Sequence, residues 1–167
     1  PTYHRKKIHE YFGLMRKQWL SSTLPPERQV SDLARMRPEI IYGFPTTLVV
    51  MAKIAENDKR LRERIRPRFI ISHAETLFED SRKYIGRVFG CPVYNEYGAT
   101  EFTRIAWECG AREGLHVDID SVIMEIVKDG RPCAPGQPGE IVLTSLHNYA
   151  MPLIRYRIGC LLYTSPS

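Results

Sequence analysis

Three short runs rich in β-branched and aromatic residues, "EIIYGFP", "RFIISHAE" and "PVYNEYG", constrain this chain more than any other feature. The first two are each followed by a segment with helical spacing of apolar residues. Strands that alternate with helices pair in parallel, because a crossover helix returns the chain to the same end of the sheet. "TTLVVMAKIAENDKRLRERI" reads as one helix with Thr46 or Thr47 as its N-cap, and "LFEDSRKYIGRVFG" as another that ends at Gly90. Upstream, Ile8, Tyr11, Phe12, Met15 and Trp19 fall on one helical face of "HRKKIHEYFGLMRKQWL", and "PERQVSDLARMRP" is a further helix stopped by Pro38. Ligands of such sheets bind beyond the carboxyl ends of the strands. The loops "YGFP", "SHAET" and "EYGATE" are therefore expected on one edge.

After about residue 110 the pattern changes to two β-type runs joined by a turn-rich connector that holds Asp129-Gly130 and several prolines. The predicted fold class is α/β: a partly parallel sheet flanked by helices over residues 1–110, then a smaller antiparallel β subdomain over 111–159. Residues 160–167, "CLLYTSPS", continue no element that can be related to what precedes them. They are read as a non-native or frame-shifted tail, expected to be disordered or poorly packed. With Pro1 at its start, the chain is read as a piece of a longer one.

The 43% hydrophobic content suits a globular domain with a real core. No apolar run reaches the length of a membrane span. The scattered Cys91, Cys109, Cys133 and Cys160 suggest reduced thiols and a cytoplasmic setting. The net charge of +5 is uneven: residues 1–70 hold 15 Lys and Arg against 7 Asp and Glu. A nucleic-acid-binding module is one reading of that excess. The favoured one is a solvated helix face, because "NDKRLRERIRPR" alternates Arg with Leu, Glu and Ile; no nucleic-acid partner is expected.

"YNEYGATE" holds the residue types a nucleotide site needs. Gly98 and Ala99 remove bulk where a backbone must approach a phosphate. Thr100 can donate a hydroxyl to a phosphate oxygen, and Glu101 is a hard oxygen ligand for Mg²⁺. Tyr97 offers a flat face for a base and Asn95 a partner for its exocyclic amine. Taken alone, the stretch also reads as an ordinary turn.

"SHAE", "YGATE" and "GEIVLTSLHNYAMPLIRYRIG", in this order and spacing, resemble the adenylate-forming enzymes, and more closely the phenylacetate-CoA ligase family, over nearly the whole chain to Gly159. The resemblance implies a fragment of the large N-terminal domain of such an enzyme, using ATP, Mg²⁺ and coenzyme A on an aromatic, phenylacetate-like carboxylic acid. The acid carboxylate attacks the α-phosphorus, pyrophosphate leaves, and the coenzyme A thiol then displaces AMP. Thr100 and Glu101 are implied as catalytic, the latter through magnesium, with Tyr97 stacked on adenine. Ser72, His73, Ala74 and Glu75 are assigned to the nucleotide together with Asn95, Glu96, Tyr97, Gly98, Ala99 and Thr100. Tyr42, Gly43, Phe44, Pro45 and His73 are assigned to the acid, although a plain strand-to-helix turn explains "YGFP" as well. In "SHAET", His73 and Thr76 replace the family's glycine and proline. His73 either narrows a pocket or is satisfied by a neighbouring backbone group.

One reading makes Cys109 and His116 half of a zinc site that needs two further ligands, which some relatives supply as a Cys pair; the favoured reading is a buried Cys and a strand-edge His. The family's phosphate loop and C-terminal catalytic lysine have no counterpart in this sequence, and Cys160 stands where an aspartate would bind the ribose. The isolated chain is therefore expected to be inactive and the full-length form an acid-CoA ligase. The alternatives are an adenylating enzyme with another acyl acceptor and a non-catalytic nucleotide-binding protein. A homodimer is left open.

Overall fold

A computed structural model describes residues 17–163. The helix expected over 4–20 lies largely outside that range. The described chain runs α1 (Pro26–Met36), β1 (Ile40–Gly43), α2 (Pro45–Asn57), α3 (Lys59–Arg64), β2 (Phe69–His73), α4 (Glu79–Phe89), β3 (Val93–Tyr97), β4 (Ala106–Glu108), β5 (Leu115–Val117), β6 (Val122–Lys128), β7 (Arg131–Pro132), β8 (Pro138–Ser145) and β9 (Tyr156–Tyr163).

Strands β1 to β5 form one sheet in chain order, with β1, β2 and β3 parallel and β4 and β5 antiparallel. Ile41, Ile70 and Val93 stand in register across the three parallel strands. All three are buried, in one cluster with Leu33 of α1, Leu48, Met51 and Ala55 of α2, and Ile85 and Phe89 of α4. Strand alternation therefore places Tyr42, His73, Tyr94 and Glu96 on the opposite face.

Two details of the helices depart from expectation. The segment after "YGF" does not start at a threonine cap: Phe44 is the N-cap residue and Pro45 opens the helix, since proline's fixed φ suits the first helical turn. The helix also breaks at Asp58, whose carboxylate accepts from the amides of Arg60 (2.9 Å) and Leu61 (3.2 Å) and so starts α3. A short acidic side chain competes for backbone donors in this way.

The change near residue 110 falls inside the first sheet, because β5 pairs with β4. The second sheet, ordered β7-β6-β8-β9, begins at Val122 and is antiparallel throughout. Asp129 (φ 51°) and Gly130 (φ 75°) form the expected tight turn between β6 and β7. Its core joins Val122, Ile141 and Leu143 to Phe102 and Ile105. Order does not end at Gly159: β9 continues through Tyr163, paired with β8, so Cys160 to Tyr163 extend a strand.

Among the described residues, part of the basic surface is paired locally. Arg28 and Arg35 flank Asp32, Lys59 meets Glu63, Arg68 meets Glu39 and Arg87 meets Glu56. Among the described residues, no helix is long and apolar enough to cross a membrane.

The two layers of the first sheet meet at a buried ion pair. Arg82 of α4 donates two hydrogen bonds to the Glu108 carboxylate of β4, at 2.6 and 2.9 Å, and a third to the Val93 carbonyl at 2.8 Å. Glu108 also accepts the Asn95 amide N–H at 2.8 Å. The two side chains are only 12% and 8% exposed. Glu108→Ala should lower unfolding stability by about 3 kcal/mol, because it leaves the buried guanidinium with only the exposed Glu79 carboxylate, 3.1 Å from its Nε, as counter-charge. The double variant Arg82→Met, Glu108→Leu should lose clearly less. Urea denaturation of both checks this, and equal losses would show that the charge pairing is not the cause.

Candidate functional site

The three loops do share one edge. Tyr42, at the end of β1, donates its hydroxyl to Glu96 near the end of β3. Between them, from β2, the His73 ring stacks on Tyr42 with centroids 4.0 Å apart at 18° and lies 4.8 Å from Phe44. Parallel pairing produces this juxtaposition, since His73 is in register with Glu96. Burial lowers the His73 pKa, with Glu96 and Glu75 opposing. Burial also raises the Tyr42 phenol well above its usual range, reinforced by its hydrogen bond to Glu96. No hydrogen bond reaches the imidazole of His73 among the described residues; it is held by ring contacts, not by a backbone group.

Glu75 has a local task. Thr46 donates to it both its amide N–H (3.1 Å) and its hydroxyl (3.0 Å), so the "SHAET" carboxylate caps the first turn of α2. This is the cap that the sequence alone assigns to a threonine. Ala74 beside it sits at φ 65°, a left-handed conformation that costs a non-glycine residue on the order of 1 kcal/mol. A cleft of about 510 Å³ opens here, lined by Pro45, Thr46, Val49, Glu75, Thr76 and Phe78.

Ser72 and Asn95 are register neighbours on the helix-covered face, next to Gly43. The Ser72 hydroxyl and the Asn95 carbonyl oxygen are both buried without a hydrogen-bond partner. An unpartnered amide oxygen suits the donor of an exocyclic amine. Tyr97 packs its ring against the second core. Its hydroxyl is buried without a partner of ordinary length; burial, with the Cys160 thiol nearby, raises its pKa.

The "GATE" turn is tightly wound. The Ala99 carbonyl accepts from Phe102 (3.2 Å) and Thr103 (2.7 Å), and Ile105 donates to the Tyr97 carbonyl. A Cβ on Gly98 would lie 2.0 Å from the Thr103 carbonyl oxygen, so the chain's own backbone requires this glycine. Thr100 and Glu101 are exposed. Glu101 accepts one long hydrogen bond, 3.4 Å, from Tyr156 of β9, which leaves its carboxylate open to a cation. Sequence reasoning passed over Tyr156, although its place in "LIRYRIG" is the alternation of a strand. It also passed over Arg104, which donates to Asp118 at 3.0 and 2.8 Å behind this turn.

Cys109, just past β4, lies close enough to His116 of β5 for the imidazole to lower the thiol pKa. Among the described residues no group of three or more metal-ligating side chains forms, so zinc is not carried further.

The chain belongs to the AMP-binding enzyme family, which it matches over residues 13–150. Within it, the chain falls in the phenylacetate-CoA ligase family of adenylate-forming enzymes. It is 31% identical over 142 residues to the phenylacetate-coenzyme A ligase of Thermus thermophilus, covering 82% of this chain and 32% of that protein. It is 29% identical over 132 residues to the protein CapK of Staphylococcus aureus, covering 78% and 27%. The chain thus spans about a third of the length of these relatives. Its fold resembles an open conformation of 2-hydroxyisobutyryl-CoA ligase, with a TM-score of 0.78 at 21% identity over 89% of this chain and 34% of the other. A benzoate CoA ligase from Burkholderia xenovorans LB400 gives 0.66 at 19% identity, over 86% and 32%.

The thiols provide a direct test of the local electrostatics. His116, followed by the Ala111 and Arg112 amides, lowers the Cys109 pKa, whereas burial pushes Cys91 up to about 11. The thiolate is the reactive species. Iodoacetamide at neutral pH should therefore modify Cys109 well before Cys91, and His116→Phe should slow only Cys109. Peptide mapping by mass spectrometry reads both; equal rates would remove the Cys109–His116 pairing.

Proposed function

We propose that the full-length protein adenylates an aromatic carboxylic acid with ATP and passes the acyl group to coenzyme A. The observation that carries this reading is the convergence of strand ends: an aromatic shelf of Tyr42, Phe44 and His73 meets Glu96, the residue immediately before the "YGATE" turn with its open Glu101 carboxylate. The relatives' names, phenylacetate-coenzyme A ligase, agree with an aromatic acid.

The donor set fits the partners. Glu101 offers carboxylate oxygen to magnesium, which takes one or two carboxylates and completes its shell with water and phosphate. Magnesium and ATP supply a polarised α-phosphorus and a leaving pyrophosphate. The chain's own part is alignment. Thr100 is free to donate to a phosphate oxygen from the turn that Gly98 and Ala99 hold, and the Asn95 oxygen is free to accept an adenine amine. The "SHAET" backbone, with Ser72 and Ala74, flanks the base, and Tyr97 lies on the same side. The rings of Tyr42, Phe44 and His73, with Gly43 and Pro45 at the strand-to-helix turn, offer the acid an apolar surface. Such positioning accounts for most of the barrier reduction that an adenylation step needs from a protein.

The test is acid-dependent exchange of pyrophosphate into ATP, followed by acyl-CoA formation. The full-length protein should show both with aryl acids, and the 167-residue chain alone should stay at the blank. Glu101→Gln keeps the shape but removes the charge, and should lower exchange on the order of 10²-fold, most severely at limiting magnesium. A variant as active as the parent under those conditions would place the metal elsewhere.

A further inference from the structure

Glu96 belongs to the stretch that sequence reasoning gives to the nucleotide, yet its side chain leaves that group. Strand alternation sends Asn95 and Tyr97 to one side and Glu96 to the other, in register with His73 and with Trp107 of β4. There it meets Tyr42, whose single hydroxyl proton occupies one carboxylate oxygen. Among the described residues no donor reaches the other oxygen. The nearby cation, Arg104, directs its guanidinium to Asp118 at 3.0 and 2.8 Å. His73 is turned flat against Tyr42, so its ring contributes a stacking surface to this cluster. A half-buried carboxylate with a spare oxygen among aromatic rings is an incomplete arrangement, because such an oxygen is stabilised by a donor when water is displaced.

We propose that Glu96 is a specificity determinant of the acid site: its unused oxygen accepts a hydrogen bond from a hydroxyl or amino substituent on the aromatic acid. This rests on the ligase reading above and narrows its substrate class. The acid's ring lies along the shelf of Tyr42, Phe44 and His73, and its donor group points to β3. A site built around a substrate donor discriminates strongly against the analogue that lacks it, since the acceptor is then left dry and unpaired.

The test compares 3- and 4-hydroxyphenylacetate and 4-aminophenylacetate with 4-methylphenylacetate, which matches their size but donates nothing. With the full-length protein, at least one donor-bearing acid should exceed the methyl analogue by about 10-fold or more in kcat/KM for pyrophosphate exchange. Glu96→Leu should bring that ratio close to one, and Glu96→Gln should leave an intermediate ratio, because a neutral amide oxygen is a weaker acceptor. Reading a ratio within each variant cancels any general loss of folded protein. Equal use of all four acids by the parent would overturn the proposal and leave the ligase reading intact. So would variants that raise the KM for ATP while keeping the ratio, which would return Glu96 to the nucleotide. If no acid drives exchange, the ligase reading falls, and calorimetric binding of the same acids to the parent and Glu96→Leu decides. Tighter binding of a hydroxylated acid that disappears in the variant sustains the proposal, whereas equal or absent binding overturns it.

Discussion

Arg82 and Glu108 hold the point at which the first sheet changes from parallel to antiparallel pairing. A guanidinium from the helix layer is met by a carboxylate from β4, the pair also bonds the backbone of β3 at Val93 and Asn95, and the exposed Glu79 lies 3.1 Å from the guanidinium Nε. The geometry of the pair is the bidentate one in which arginine binds carboxylate best. Strand β3 is thereby fixed on both edges, through parallel pairing to β2 and antiparallel pairing to β4. Every candidate residue from Asn95 to Glu101 lies on or immediately after that strand. The accuracy of the site derives from a charge pair that has no part in the chemistry.

The second support is the threefold register of the parallel strands. Ile41, Ile70 and Val93 anchor one face in the helix-packed core. The same register brings His73 opposite Glu96 and lets Tyr42 reach across β2 to the Glu96 carboxylate. A one-residue slip of β2 would turn His73 into the core and Ser72 out of it. The apolar row therefore specifies the polar site, and the energy of burial is converted into the placement of groups that contribute little stability themselves.

The alternation of strands and helices was legible in the residues because period and turn chemistry are local: three parallel strands, the helix ending at Gly90 and the Asp129-Gly130 turn all follow from it. The loops "YGFP" and "SHAET" were correctly placed on one edge for the same reason. Strands β4 and β5, three residues each, are too short to carry a period, and only tertiary pairing reveals them. Asp58 and Glu75 show a different limit. The sequence indicates that helix starts need caps, but whether the cap is intrinsic or comes from a loop 29 residues away is a property of the fold. Glu96 and Asn95 were read as one group because they are adjacent in the chain, whereas a strand sends adjacent side chains to opposite faces.

The glycine of "YGATE" has an evolutionary consequence. Its missing Cβ leaves room for the Thr103 carbonyl of the same turn, so backbone closure alone forbids any larger residue. Descendants of this chain that lost every nucleotide contact would still retain Gly98 for as long as they folded. Persistence of the glycine among homologues is thus a record of architecture. Only the exposed pair that follows, Thr100 and Glu101, has no folding reason of comparable force to persist, and the pattern of drift at those two positions would distinguish working enzymes from silent relatives.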